Sequence, residues 1–139
     1  MTSSAKGPTT ARYRKAAEQF AERAAQDLGD KIQAIVLYGL VAERKRPRDN
    51  DITVLVVTDD TSYVMRDKVA SIEVDIAEKH KWDIWITSKL VTPENLKEYL
   101  RLGLPTWVDM IVNGVFLYDA GAISSQCRDV LAARGHDAS

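Results

Sequence analysis

The chain has 139 residues, 45% of them hydrophobic, and its 19 basic and 20 acidic side chains leave a net charge of −1. It is therefore the size of one domain, with no global pull toward nucleic acid or anionic membrane. Its single cysteine, Cys127, excludes an intrachain disulfide and a cysteine-based metal cluster, and suits a reducing compartment. The longest apolar runs, 34–38 and 54–57, are far shorter than the ~20 residues a membrane-crossing helix needs, so a soluble, cytoplasmic protein without membrane contact is expected.

Residues 1–10 are small and polar, broken by Gly7 and Pro8, and read as a disordered tail. A single domain is expected over 11–134, followed by a mobile tail over 135–139. From Tyr13 the apolar positions Ala16, Ala17, Phe20, Ala24 and Leu28 recur at helical spacing, with Thr10 as N-cap and Gly29 as stop. The nearly continuous apolar run 32–38 predicts a strand buried on both sides and ended by Gly39. The polar stretch 41–50, with Pro47, reads as a connection carrying a short helical turn over 41–44.

A second strand is predicted over 51–58. After possible caps in Asp59, Asp60, Thr61 and Ser62, the residues Met65, Val69, Ile72 and Ile76 mark a helix ending near His80. The short run 82–87 predicts a third strand with Asp83, Trp85 and Thr87 on one face. Thr92-Pro93-Glu94 is a helix start, and that helix is expected to stop at Gly103. Residues 107–112 fit either a hairpin strand or a short helix before Asn113-Gly114; the helix is the reading adopted, with a strand over 115–118 and a last helix over 124–134. This order predicts an α+β, two-layer domain with a small mixed sheet and helices chiefly on one face.

The chemistry concentrates in Leu37-Tyr38-Gly39-Leu40 and in Asp51-Ile52-Thr53, with ten residues between Leu40 and Asp51. Alternation along a strand puts Asp51 and Thr53 on one face, while Ile52, Val54 and Val56 face the opposite layer. A strand opening on paired carboxylates beside a glycine turn suits Mg²⁺ and a triphosphate, but Thr53 stands where the second carboxylate would be.

Gly39, the gap after Leu40, Asp51 and Asp83 together resemble a minimal nucleotidyltransferase of the polymerase-β superfamily, over about 32–118. The closing Gly114 and the run 115–118 are similar to that family's last glycine and strand. The resemblance implies the polymerase-β-like nucleotidyltransferase fold, with Gly39 as the turn glycine, Asp51 as first acid and Asp83 as third acid. It would assign catalysis to Asp51 and Asp83, nucleotide binding to Gly39, Leu40 and Arg44, and metal binding to Asp51, Thr53, Asp83 and Asp49.

Two departures fall on that chemistry. Leu40 replaces the family's turn serine, and a hydrogen bond to a charged phosphate is worth about 1.5–3 kcal/mol. Thr53 replaces the second acid, and a neutral hydroxyl is a poor Mg²⁺ ligand. Asp49 offers a shifted acid pair with Asp51 if the strand extends back to it. Glu43 and Arg44 also depart, standing where many small members have arginine and glycine.

The expected function is therefore a degenerate nucleotidyltransferase-fold protein, impaired in catalysis, that binds a nucleotide or a protein partner. By resemblance that role is antitoxin-like, with a helical HEPN-type partner; a homo-oligomer is a further candidate assembly. The alternative is an active enzyme that uses Mg²⁺ to move a nucleoside monophosphate from ATP or another triphosphate to a hydroxyl, with Asp51 and Asp83 aided by Asp49 or Thr53. Without activity no cofactor is expected. Nucleic acid is not an expected partner: Arg44, Lys45, Arg46 and Arg48 read as a solvated loop offset by nearby acids, and Trp82, Trp85 and Trp107 as packing residues. His80 and His136 lack metal-binding spacing.

Overall fold

A computed structural model describes residues 8–135. Helix α1 (Thr10–Leu28) starts one residue earlier than expected, because Thr9 rather than Thr10 is the cap and accepts a hydrogen bond from the Arg12 amide. The helix ends at Gly29, whose φ of 52° and amide bond to the Ala25 carbonyl close the last turn. Of the expected N-terminal tail, residues 1–7 lie outside the described residues, while Pro8 is buried and its carbonyl accepts from Arg46. At the other end, 136–139 lie outside them as well.

The strands are β1 (Ile32–Tyr38), β2 (Asp51–Thr58), β3 (Trp85–Val91) and β4 (Val115–Asp119). They form one sheet in the order β3-β2-β1-β4. β1 runs antiparallel to both β2 and β4, whereas β2 and β3 run parallel across the connecting helix α2 (Tyr63–Lys79). The remaining helices are α3 (Pro93–Arg101), α4 (Pro105–Val112) and α5 (Ile123–Ala133). Residues 105–112 are thus helical, and the hairpin alternative falls away. Gly114 explains the tight passage from α4 into β4: a Cβ there would lie 2.1 Å from the Met110 carbonyl oxygen and 2.8 Å from Val36.

The α+β class and mixed sheet agree with the sequence, but the helices divide between both faces instead of gathering on one. Ile35, Leu37, Ile52, Val54 and Val56 pack with α1 and α2 around Tyr13, Phe20, Met65 and Ile76. Ala34, Val36, Leu55 and Val57 pack with α3, α4 and α5 around Leu96, Leu100, Met110, Cys127 and Leu131. Each of the two central strands therefore feeds alternate side chains into two separate cores, the physical reason for their unbroken apolar runs.

The third strand begins at Trp85, not at Trp82. The end of α2 overruns the expected start: Lys81 and Trp82 adopt left-handed backbone angles (φ 56° and 64°), and the Trp82 amide returns to the Ala77 carbonyl at 2.9 Å. That turn displaces Asp83 from the strand.

Candidate functional site

Because β1 is antiparallel to β2, the end of β1 and the start of β2 meet at one edge of the sheet. Tyr38 is opposite Thr53, and Gly39 follows with φ 82°. The close approach has a direct cause: a Cβ on Gly39 would lie 3.0 Å from the Thr53 hydroxyl. That hydroxyl donates to the Tyr38 carbonyl at 2.9 Å, so its proton is engaged by the backbone.

The parallel register places Asp51 beside Trp85 and Thr53 beside Thr87. Asp51, Thr53, Trp85 and Thr87 consequently share a face of the sheet. The Thr87 hydroxyl lies 2.8 and 3.0 Å from the two carboxylate oxygens of Asp51. Where a third acid on the neighbouring strand could join Asp51, the chain has a second threonine.

A cavity of about 300 Å³ opens beside this edge, lined by Tyr38, Leu40, Val41, Pro47, Arg48, Asp49, Asp51 and Thr53. Leu40 gives the cavity an apolar wall where a phosphate-binding hydroxyl would be needed. Asp49 reaches the cavity, but not by an extended strand: it sits in a tight turn over Arg48–Asn50 with φ 53°, and Asn50 follows at 58°. The buried Tyr13 hydroxyl donates to the Asn50 side chain at 2.5 Å and fixes that turn. Two acids thus border the cavity from different backbone settings.

Two expected site residues stand elsewhere. Asp83 lies in the bend before β3 and pairs with Arg12 at 3.7 Å; neither a hydrogen bond nor the cavity joins it to Asp51. Arg44, with φ 64°, lines a different depression beside Thr10, Ala11 and Arg14, while Arg48 is the basic residue at the Asp51 cavity. Tyr38, Arg48 and Thr87 are the site residues that sequence reasoning passed over. Thr87 had a signal, since alternation already placed it with Asp83 and Trp85; the acid drew the assignment because it suited the chemistry.

The charge of Asp51 is felt by two neighbouring groups. Burial raises the Tyr38 hydroxyl above its ordinary pKa and the Asp51 charge adds to this, while the hydrogen bond with Thr53 opposes it. Glu73 on α2 is likewise raised, chiefly by burial, although its bonds to the amide and hydroxyl of Ser88 favour the charged form; Asp51 contributes in the raising direction. Among the described residues Asp51 takes part in no ion pair, and no three acidic, histidine or cysteine residues converge as metal ligands. A two-Mg²⁺ site needs several charged oxygens at about 2.0–2.1 Å from the ions, so this donor set does not fit it. The obstacle is the chemistry of Thr53 and Thr87.

The four-stranded mixed sheet with helices on its two faces has the small nucleotidyltransferase-like fold. The chain is similar to the toxin-antitoxin MntA-HpeT in a mutant form, with a TM-score of 0.50 and 15% identity, over 85% of this chain and 92% of that one. A toxin-antitoxin crystallised with AMP-PNP is 20% identical over 85% and 92% of the two chains, with a TM-score of 0.47. A Shewanella oneidensis complex of tri-AMPylated HEPN toxin with MNT antitoxin is 16% identical over 88% and 92%, with a TM-score of 0.44. No family model matches the chain, and neither does any curated protein. The likeness is one of fold. No helix among the described residues is long and apolar enough to cross a membrane.

Proposed function

We propose that this chain is a non-catalytic member of the nucleotidyltransferase fold that acts in the cytoplasm by binding a protein partner, in an antitoxin-like role. One observation carries the non-catalytic part. The two positions that would complete an acid cluster with Asp51 are threonines whose hydroxyls are already engaged, Thr53 with the Tyr38 carbonyl and Thr87 with Asp51 itself. Losing even one transition-state contact lowers a rate by about 10²–10³. The antitoxin-like part is supported by the MntA-HpeT toxin-antitoxin at TM-score 0.50; the all-helical HEPN character of the partner follows the resemblance in the sequence. Mg²⁺ is not required in this reading, and Gly39 serves to hold the turn.

The test is co-expression with a HEPN-type toxin encoded beside this chain. A stable complex is expected on size exclusion, and Asp51→Ala is expected to form it and suppress toxicity as the unsubstituted chain does. The active-enzyme alternative draws on one observation, the shared cavity of Asp49 and Asp51. Heat from millimolar Mg·ATP in calorimetry, abolished by Asp51→Ala, would favour that alternative and overturn the non-catalytic reading. Failure to recover any helical partner from the native host would overturn the antitoxin-like role.

A further inference from the structure

Helix α4 carries apolar residues on the side that faces away from the sheet. Thr106 and Asp109 are its only polar residues. Met110 and Ile111 are buried beneath it, in the core shared with α3 and α5. Pro105, Val108, Asp109 and Val112 follow one another at helical spacing along the opposite side, so all but Asp109 of these outward residues are apolar. A helix at a protein surface ordinarily turns polar residues outward, and one that is apolar all round is buried. In the single chain α4 has the composition of a buried helix and the position of a surface one.

The preceding loop extends this apolar surface. Leu102 is 60% exposed and Leu104 is 37% exposed, on either side of Gly103. Beside them lies a groove of about 360 Å³ whose apolar lining is Pro105, Val108 and Val112, with Asp109, Asn113 and Arg134 as its polar members. Two opposite charges thus stand on one groove without meeting. The Arg134 guanidinium occupies the space that a Cβ on Gly103 would fill, and it donates to the Arg101 carbonyl at 2.7 Å. Asp109 accepts from the Asn113 side chain at 2.6 Å. Both residues are exposed, and among the described residues neither joins an ion pair.

We propose that the α4 groove is the interface of a symmetric homodimer. A two-fold axis sets a patch against its own copy, so the patch must complement itself. This patch does so: apolar side chains meet apolar ones, and Arg134 of each chain faces Asp109 of the other. A partner of different sequence would not require both signs of charge on the same groove. None of these residues lines the Asp51 cavity, so the dimer stands or falls independently of the proposed function.

Sedimentation equilibrium of the purified full chain tests this. A monomer–dimer equilibrium is expected at micromolar protein. Val108→Asp sets a charge in the apolar part of the groove and should abolish the dimer. Asp109→Arg and Arg134→Asp each bring like charges together across the axis, and each should weaken association about tenfold or more at low salt. Mixing these two variants in equal amounts is expected to restore the dimer, because each chain then offers the charge the other lacks. Circular dichroism checks that every variant keeps the fold. Four outcomes overturn the proposal: a monomer at micromolar protein, a dimer unchanged by Val108→Asp, charge variants that associate as tightly as the unsubstituted chain, or a mixture of them that associates no better than either alone. A monomeric chain whose Val108→Asp variant loses a HEPN-type partner would assign the groove to that partner and overturn it too.

Discussion

The hydroxyl of Thr87 spans both carboxylate oxygens of Asp51, at 2.8 and 3.0 Å, across two parallel strands. A neutral donor therefore occupies the ground where a second negative charge would have to share a metal ion. The contact also gives Asp51 a structural partner, so its presence alone is no sign of catalysis.

Converting both threonines tests how much of the site survives. Thr53→Asp with Thr87→Asp sets three carboxylates side by side, and like charges on adjacent strands should destabilise the metal-free chain by roughly 1 kcal/mol, about 4 °C in Tm. Millimolar Mg²⁺ is expected to restore that loss by binding only the folded state. Adding Leu40→Ser should then produce Mg²⁺-dependent heat with ATP. A melting temperature indifferent to Mg²⁺ would show that the cluster geometry is gone as well as its charges.

Gly39→Ala probes the turn. The new Cβ would sit at φ 82° and 3.0 Å from the Thr53 hydroxyl, and a destabilisation of about 1–2 kcal/mol is expected in denaturant unfolding. Introducing it into a Thr53→Ala background should recover only the part due to contact, leaving the backbone strain. Full recovery would mean that the left-handed conformation matters little.

His80 gives the fold an acid-sensitive joint. Burial lowers its pKa below the ordinary 6.5, and the nearby Arg12, Lys15 and Lys79 add to this. The unfolded chain thus binds the proton more readily, so His80 contributes stability that is present above pH 6.5 and lost as pH falls through the lowered folded value. Thermal melts across this range should show the unsubstituted chain losing ground to His80→Gln, which keeps polar contacts but cannot titrate. Parallel profiles for the two would contradict this account.

Cys127 should be silent in the native state. It is buried against α3, and burial pushes its thiol up to about 11. A thiol reagent at mildly alkaline pH is expected to label it only at the rate of unfolding, and to full stoichiometry in concentrated guanidinium. Rapid labelling of folded protein would place α5 in a looser packing than described.

Periodicity carried most of the fold. The strands 32–38 and 51–58 were legible because both faces are buried, and Thr92-Pro93 and Gly103 framed α3 correctly. It failed at β3, where six residues after a helix look like a strand start but the helix end curls through Lys81 and Trp82 first. The second helical layer was implied by those unbroken apolar runs, which need cover on both faces, but nothing local in the helices showed which face each of them takes. At the site, Gly39, Leu40, Asp51 and Thr53 could be read from local spacing. Thr87 and Arg48 depended on register and on the path of a loop, which no local pattern encodes, and Asp83 was misplaced with its strand.

The edge carrying Asp51, Thr53, Thr87 and Trp85 belongs to the face that α3, α4 and α5 otherwise cover, yet none of these four side chains enters the core beneath those helices. Chemistry and architecture are thus uncoupled within one sheet. Side chains at these positions can therefore change while the two cores that hold the sheet keep their packing.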